Sequence, residues 1–403
     1  MSPMNLFKFS QILFILSLPL LSGCASESKN SVAGEKWYSN MHKLSVNHSA
    51  LIPIAGNQKA FYDPRNYEKI KSHSQSILET AVQLTKDSEA PNSDPLITAT
   101  AKQFASATNA IVANLESGNM QSANYGINQL STYCISCHTR ADRGSQDFTT
   151  SWKPQLSALN SLQKANYYLA NRLYTSAHKE VDSIVNDSAL AQVDPAGWFA
   201  VVQKDLAVRV RVQNDLKSAK SLVDMALKNK SLPYYMLYDV QAWQRSISEW
   251  QKESAAEILT LVKVKSLLTQ ATRPPYSQGD AGLILYLRAS RILHTLLENS
   301  KSPSYADAHY YAGITAEGLK KVDLSSLSEK YYQGCIEASP ATILSEKCYA
   351  RLEWVMQQSH PYMDTMPETA KVVSGILNKY KTLAMRERKE SVIQNRYDSL
   401  FEQ

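Results

Sequence analysis

Glycine and proline are scarce in this 403-residue chain, 13 and 15 in all, while Ala, Leu, Ser, Lys and Gln abound. So few turn-forming residues argue against an architecture rich in tight turns and point to an all-α protein. Long apolar runs are missing after residue 23, which excludes a membrane-spanning helix from the rest of the chain. Blocks of like charge are missing too. The net charge of +6 is spread along the chain, which excludes a nucleic-acid-binding tail and supports only a weak preference for acidic protein partners. No paired carboxylates and no Ser-His-Asp set can be assigned by spacing, so the chain is not expected to be an enzyme. Cysteine is rare, and the five present are Cys24, Cys134, Cys137, Cys335 and Cys348. The last two lie about two hundred residues beyond Cys137 and form no second C-x-x-C, so a four-ligand zinc site is disfavoured.

What is present is Cys134-Ile135-Ser136-Cys137-His138. A C-x-x-C-H is the attachment site of a c-type haem. Two thiols three positions apart can form thioethers to the two vinyl groups of one haem, and the adjacent imidazole reaches the iron from the same helical turn. His138 is the expected proximal iron ligand, with one covalent haem c as cofactor.

Haem is attached outside the cytoplasm, and the N-terminus reads as an export signal. Lys8 precedes the apolar run from Ile12 to Leu21, too short to span a bilayer stably. Leu21-Ser22-Gly23-Cys24 resembles the lipobox of bacterial lipoproteins, which implies cleavage after residue 23 and a diacylglycerol on Cys24. Several acyl chains anchor firmly, each buried methylene contributing about 0.8 kcal/mol. Ala25 is not the aspartate that commonly retains lipoproteins at the inner membrane, so the expected place is the periplasmic face of the envelope, with the outer membrane favoured. Residues 24–34 are small and polar, a tether between lipid and fold.

Residues 35–148 read as four helices. Trp37, Met41, Leu44, His48 and Leu51 recur at spacings of four and three, a seam facing a bundle core. Asp63-Pro64 and Asp94-Pro95 supply caps and first-turn prolines for a second helix near 64–87 and a third to about 116. Gly118-Asn119 precedes a fourth, which carries the haem motif at its end. This order of helices, with Phe61-Tyr62-Asp63-Pro64 at the start of the second and Cys134, Cys137 and His138 closing the fourth, resembles the cytochrome c prime and cytochrome c556 family over residues 35–145, about a quarter of the chain. The resemblance implies that the residue facing the distal side of the iron comes from the first helix, and alignment at the start of the second brings Met41 there. A bound thioether gives a six-coordinate electron carrier of raised potential. A Met41 that only packs, as a core methionine does, leaves an open site for nitric oxide or carbon monoxide. His48, on the same stripe, is the alternative distal ligand, whereas His42 and His73 fall to solvent. Family members place an arginine shortly after the haem histidine and a basic residue in helix one. The nearest here, Arg140, Arg143 and Lys36, do not match those offsets, so the propionate contacts stay open. The family also dimerises through its first two helices, which implies a homodimer unless the C-terminal half covers that surface.

Residues 149–385 read as paired helices. Ala165-Asn166-Tyr167-Tyr168-Leu169-Ala170 leads to Tyr174-Thr175-Ser176-Ala177, and Leu216-Lys217-Ser218-Ala219 recurs 42 residues after Tyr174. Ala306 to Gly313, with Tyr331-Tyr332 and Ala338-Ser339-Pro340 beyond, has the spacing of a tetratricopeptide unit. The whole resembles a degenerate tetratricopeptide-like α-helical solenoid. Its 22 tyrosines chain-wide suit helix packing, and His294, His309 and His360 read as structural. Cys335 and Cys348 flank Ser339-Pro340, where antiparallel helices would bring them within bonding distance, so an oxidising compartment implies a disulfide. Residues 386–403 form a tail of mixed charge, a solvated helix end. The expected function is one-electron transfer by a lipid-anchored cytochrome whose solenoid docks a redox partner or envelope complex. The alternatives are gas binding or sensing, and a non-catalytic envelope scaffold.

Overall fold

A computed structural model describes residues 32–86, 95–140, 156–253, 259–324, 327–361 and 366–401, with backbone alone at 32–35, 95–96 and 386–401. The signal segment, Cys24, most of the tether, Asp94 and Arg143 lie outside the described residues. Within them the chain is all-helical, with no strand.

Four long helices pack in a closed ring. They are α1 (Val32–Ala55), α3 (Tyr67–Lys86), α4 (Pro95–Glu116) and α5 (Met120–His138), with the short α2 (Gln58–Phe61) between the first two. Local chemistry sets the boundaries. Asp63 accepts the Arg65 N–H at 3.0 Å and Pro64 fills the first-turn position where no N–H is needed. Gly118 takes φ 76°, which a side chain would oppose, and Asn119 then caps α5 by accepting from the Ser122 N–H at 3.3 Å. Leu51, Phe61, Ile70, Ile77, Ile111, Leu115, Ile127 and Leu130 fill the ring's interior.

Two side-chain bonds fix the register of α1 against α5. Asn124 Nδ2 donates to the Ala55 carbonyl at 2.9 Å, and His48 Nε2 meets Ser131 Oγ at 3.1 Å. From the first pair to the second, α1 steps back seven residues and α5 forward seven, so the helices are antiparallel. A further two turns, about 10 Å along the axes, puts Met41 level with His138.

The rest of the described chain runs through α6 (Ser161–Ala170), α7 (Tyr174–Asn186), α8 (Ser188–Val193), α9 (Pro195–Leu206), a π-helical segment Ala207–Val212, α10 (Leu216–Lys228), α11 (Tyr234–Trp250), α12 (Leu261–Ala271), α13 (Leu283–Leu297), α14 (Tyr305–Gly318), α15 (Leu327–Ala338), α16 (Ile343–Ser359) and α17 (Pro367–Phe401). Most of these helices pack on the next in the chain. α14 packs closely on α15, where a Cβ on Gly313 would stand 2.4 Å from the Tyr332 ring. Cys335 and Cys348 are joined in a disulfide with a Cα–Cα distance of 6.3 Å, tying α15 to α16 inside a core of Tyr332, Ile336, Leu352 and Met356. The backbone of α17 continues unbroken through the charged segment to Phe401.

Near residue 150 the packing does not part into two cores. Leu159 and Tyr167 belong to the same cluster as Leu51 and Phe61, and Ile135 of α5 packs with Leu169, Ala170 and Val208. The end of α5 is gripped from three directions. Arg211, 1% exposed, donates from Nε to the Thr139 carbonyl at 2.6 Å and from Nη2 to Thr139 Oγ1 at 2.8 Å, while pairing bidentately with Asp323 at 2.8 Å. Arg140 Nη2 donates to the Tyr331 hydroxyl at 2.6 Å. Ser136 Oγ accepts the Leu324 N–H at 3.2 Å. Long-range polar contacts therefore join the end of α5 to helices far along the chain.

A candidate haem cavity at the end of α5

A cavity opens beside the C-terminal turns of α5. Cys134, Cys137 and His138 line one wall, and Trp37, Met41, Leu44, Ser45 and His48 of α1 line another. Leu84 of α3 and Ile97, Thr100, Ala101 and Phe104 of α4 close the side. Ala170, Asn171 and Arg172, from the turn between α6 and α7, complete it. The lining is mainly apolar, as the helix periodicities require: Trp37, Met41, Leu44 and His48 fall on the inward stripe, whereas His42 is exposed. His73 is half-buried and its Nδ1 bonds Asn47 Oδ1 at 2.9 Å, so the expectation of a solvated ring is corrected by a neighbour on α1.

The state of His138 follows from its surroundings. Its Nδ1 lies 2.6 Å from the Ala170 carbonyl, which can only accept, so the proton sits on Nδ1 and Nε2 keeps its lone pair. Burial, aided by the Arg172 charge, lowers the imidazole pKa to about 4, against the opposing pull of the Ala170 bond. A helix C-terminus favours a cation by about 0.3–1 kcal/mol, too little to offset that desolvation. The ring is thus neutral at pH 7 with one fixed tautomer, as metal-binding imidazoles oriented by a carbonyl are. The Tyr174 hydroxyl holds the His138 carbonyl at 2.9 Å.

Cys134 and Cys137 are not joined in a disulfide. Burial, with a smaller contribution from Cys137, pushes the Cys134 thiol up to about 12. A redox dithiol needs a lowered thiol pKa, so this pair does not fit thiol exchange. Among the described residues no group of three or more His, Cys, Asp or Glu side chains is placed to hold a bare metal ion. The residues do fit a haem: two reduced thiols a helical turn apart, a neutral imidazole with Nε2 available, and an apolar space.

His48 is deeply buried, its pKa lowered to about 4 by burial and then by His138, and its ring stacks at 3° against Tyr167. Its Nε2 is already engaged by Ser131. Met41 packs among Trp37, Leu84, Ala101 and Ile97, two turns nearer the level of His138. Arg140 is turned away, bonded to Tyr331 and absent from the lining, and Lys36 does not line the cavity either. Sequence reasoning missed the 170–172 turn. A helix-pair loop lying 32 residues past His138 has no periodic signal that ties it to a particular cavity. A comparison of the chain with protein-family models, with characterised proteins and with solved structures finds no match.

Proposed function

We propose that this chain is a monohaem c-type cytochrome, anchored through lipid on Cys24 and working in one-electron transfer. The observation that carries the reading is the state of His138: Nδ1–H is committed to the Ala170 carbonyl, and Nε2 is left neutral and available in a cavity that also presents both thiols. Cys134 and Cys137 would anchor the group through thioethers, and His138 would ligate its iron. Haem bound there supplies a one-electron iron couple. The protein's part is to hold the imidazole in one tautomer, to keep water from the apolar walls, and to offer Met41 from the level of His138 on the facing helix. A thioether partner raises the potential. His48 is the weaker candidate for that place because Ser131 already holds its Nε2. In this reading α1 to α5 form a cytochrome c prime-like bundle, and the later helices form a tetratricopeptide-like scaffold that docks a redox partner or an envelope complex at the periplasmic face of the outer membrane.

A second reading is gas binding. It is favoured by Thr100, whose Oγ1 lines the cavity, is buried, and has no hydrogen-bond partner among the described residues. That hydroxyl could serve a small polar ligand. Spectra of protein expressed with a haem-attachment system separate the two. Electron transfer predicts low-spin bands indifferent to carbon monoxide, and Met41→Ala should then bind carbon monoxide and lower the potential. A wild-type spectrum that is high-spin and shifts with the gas would favour binding. Absence of covalent haem after denaturation would end both.

A further inference from the structure

Thr100 departs from the other buried threonines. Thr80, Thr108, Thr139 and Thr315 each donate the hydroxyl to the carbonyl four residues back, at 2.7 or 2.8 Å. That bond is how a helix ordinarily satisfies a threonine shut away from water. Thr100 is 5% exposed and shares α4 with Thr108, yet its Oγ1 has no hydrogen-bond partner among the described residues. A buried hydroxyl left in this state has lost its water and gained nothing in return. The residue lines the cavity, so the unused donor belongs to the space that a ligand would fill.

Helix register sets its level. A Cβ on Gly126 of α5 would stand 2.6 Å from Ile111 Cγ1 of α4, and the rings of Phe104 and Tyr133 lie 5.8 Å apart between centres. From the first pair to the second, α4 steps back seven residues and α5 forward seven. About one further turn, some 6 Å along the axes, puts Thr100 level with Cys137. Met41 and Ile97 pack against the group of Trp37, Leu84 and Ala101, so the turn of α4 that carries Thr100 stands beside Met41. Other polar atoms of the lining are engaged within the protein. Ser45 Oγ donates to Asn171 Oδ1, His48 Nε2 meets Ser131, and His138 Nδ1 meets the Ala170 carbonyl.

A donor set in apolar walls discriminates sharply, because a site built to hydrogen-bond a polar atom disfavours an analogue that lacks it. Anions gain most, since charge-assisted bonds are the stronger kind. We propose that Thr100 is the ligand-selecting residue of the cavity, donating its hydroxyl to a small inorganic anion that enters on the Met41 side; this rests on the haem reading above, in which such an anion would sit beside the iron.

The test uses the full-length protein with covalent haem, quantified by the pyridine haemochrome, in a Met41→Ala background that opens the Met41 side. The parent, Thr100→Val and Thr100→Ser are titrated with fluoride in the ferric state and with carbon monoxide in the ferrous state. Urea midpoints are compared with and without fluoride. Valine keeps the branched shape and removes the donor. The expected result is that Thr100→Val weakens fluoride binding about tenfold or more, the scale of one hydrogen bond to a charged group. Carbon monoxide, a poor acceptor, should bind equally well to all three, and Thr100→Ser should hold fluoride more nearly as the parent does. Without fluoride, Thr100→Val should have a urea midpoint no lower than the parent's, and fluoride should raise that midpoint less than it raises the parent's. A lower midpoint without fluoride would assign the hydroxyl to the protein's own structure. Unchanged fluoride affinity, or an equal loss for both ligands, would show that it does not select the ligand. Any of these overturns the assignment of Thr100 while leaving the cytochrome reading intact, whereas a parent protein without covalent haem would overturn both.

Discussion

Asp323→Asn is a nearly isosteric change that should cost much of the protein's stability. Arg211 and Asp323 are 1% and 8% exposed, so water screens their attraction very little. The guanidinium uses Nη1 and Nη2 on the two carboxylate oxygens, and Nε and Nη2 on Thr139. Asparagine leaves one acceptor and no charge, stranding a buried cation, a change that costs about 3–5 kcal/mol out of a typical total of about 5–15 kcal/mol. Arg211→Met strands the carboxylate instead and should cost at least as much. The double variant Arg211→Met with Asp323→Leu removes both charges. What it loses is the donors to the Thr139 carbonyl and hydroxyl, about 1–3 kcal/mol. Urea midpoints at unchanged m-value give each loss directly. The double variant should therefore be more stable than either single one. If its loss instead equals the sum of the two single losses to within about 0.5 kcal/mol, the pair does not act as a unit and its place as the fastening of α5 is wrong.

Two further outcomes concern stability alone. Replacing Cys335 and Cys348 by Ala opens a loop with a sequence separation of 13 between two fully buried positions, and should cost about 3 kcal/mol by the chain-entropy estimate; a melting curve unchanged by reductant would contradict it. Burial lifts the Asp239 carboxyl to about 6, the Asp280 charge adding to it against backbone hydrogen bonds from Asp280 and Ala281. The folded value exceeds the unfolded one, so this group's contribution is complete below about pH 4 and is lost as pH rises through 6. Between pH 4 and 7 the wild type should lose about 1–3 kcal/mol more than Asp239→Asn, and parallel stability–pH curves for the two would refute that.

The ring of four helices was legible because its signals are local. Asp63-Pro64 and Gly118-Asn119 mark boundaries through their own hydrogen-bonding and backbone chemistry, and the Trp37, Met41, Leu44, His48 stripe needs only helical phase. The cysteines and histidine of the motif share one helical turn, so their convergence on one wall was legible too, and the cavity brings Met41 to the facing one. What the sequence did not disclose depends on separation. Thr139 meets Arg211 and Asp323, Arg140 meets Tyr331 at a separation of 191 residues, and the 170–172 turn closes the cavity; no spacing rule reaches so far. The packing of Leu159 and Tyr167 with Leu51 and Phe61 is likewise a long-range contact that composition and motif do not register.

The late sealing of α5 sets an order of events. Chains emerge and fold from the N-terminus, so Cys134, Cys137 and His138 are made long before Arg211, Asp323 and Tyr331 exist to grip the residues beside them. Contacts of such long range also form slowly, since a large loop must close first. The thiols therefore pass through a period of exposure before burial, and on the proposed cytochrome reading the attachment to Cys134 and Cys137 would fall in that interval, ahead of the last docking step.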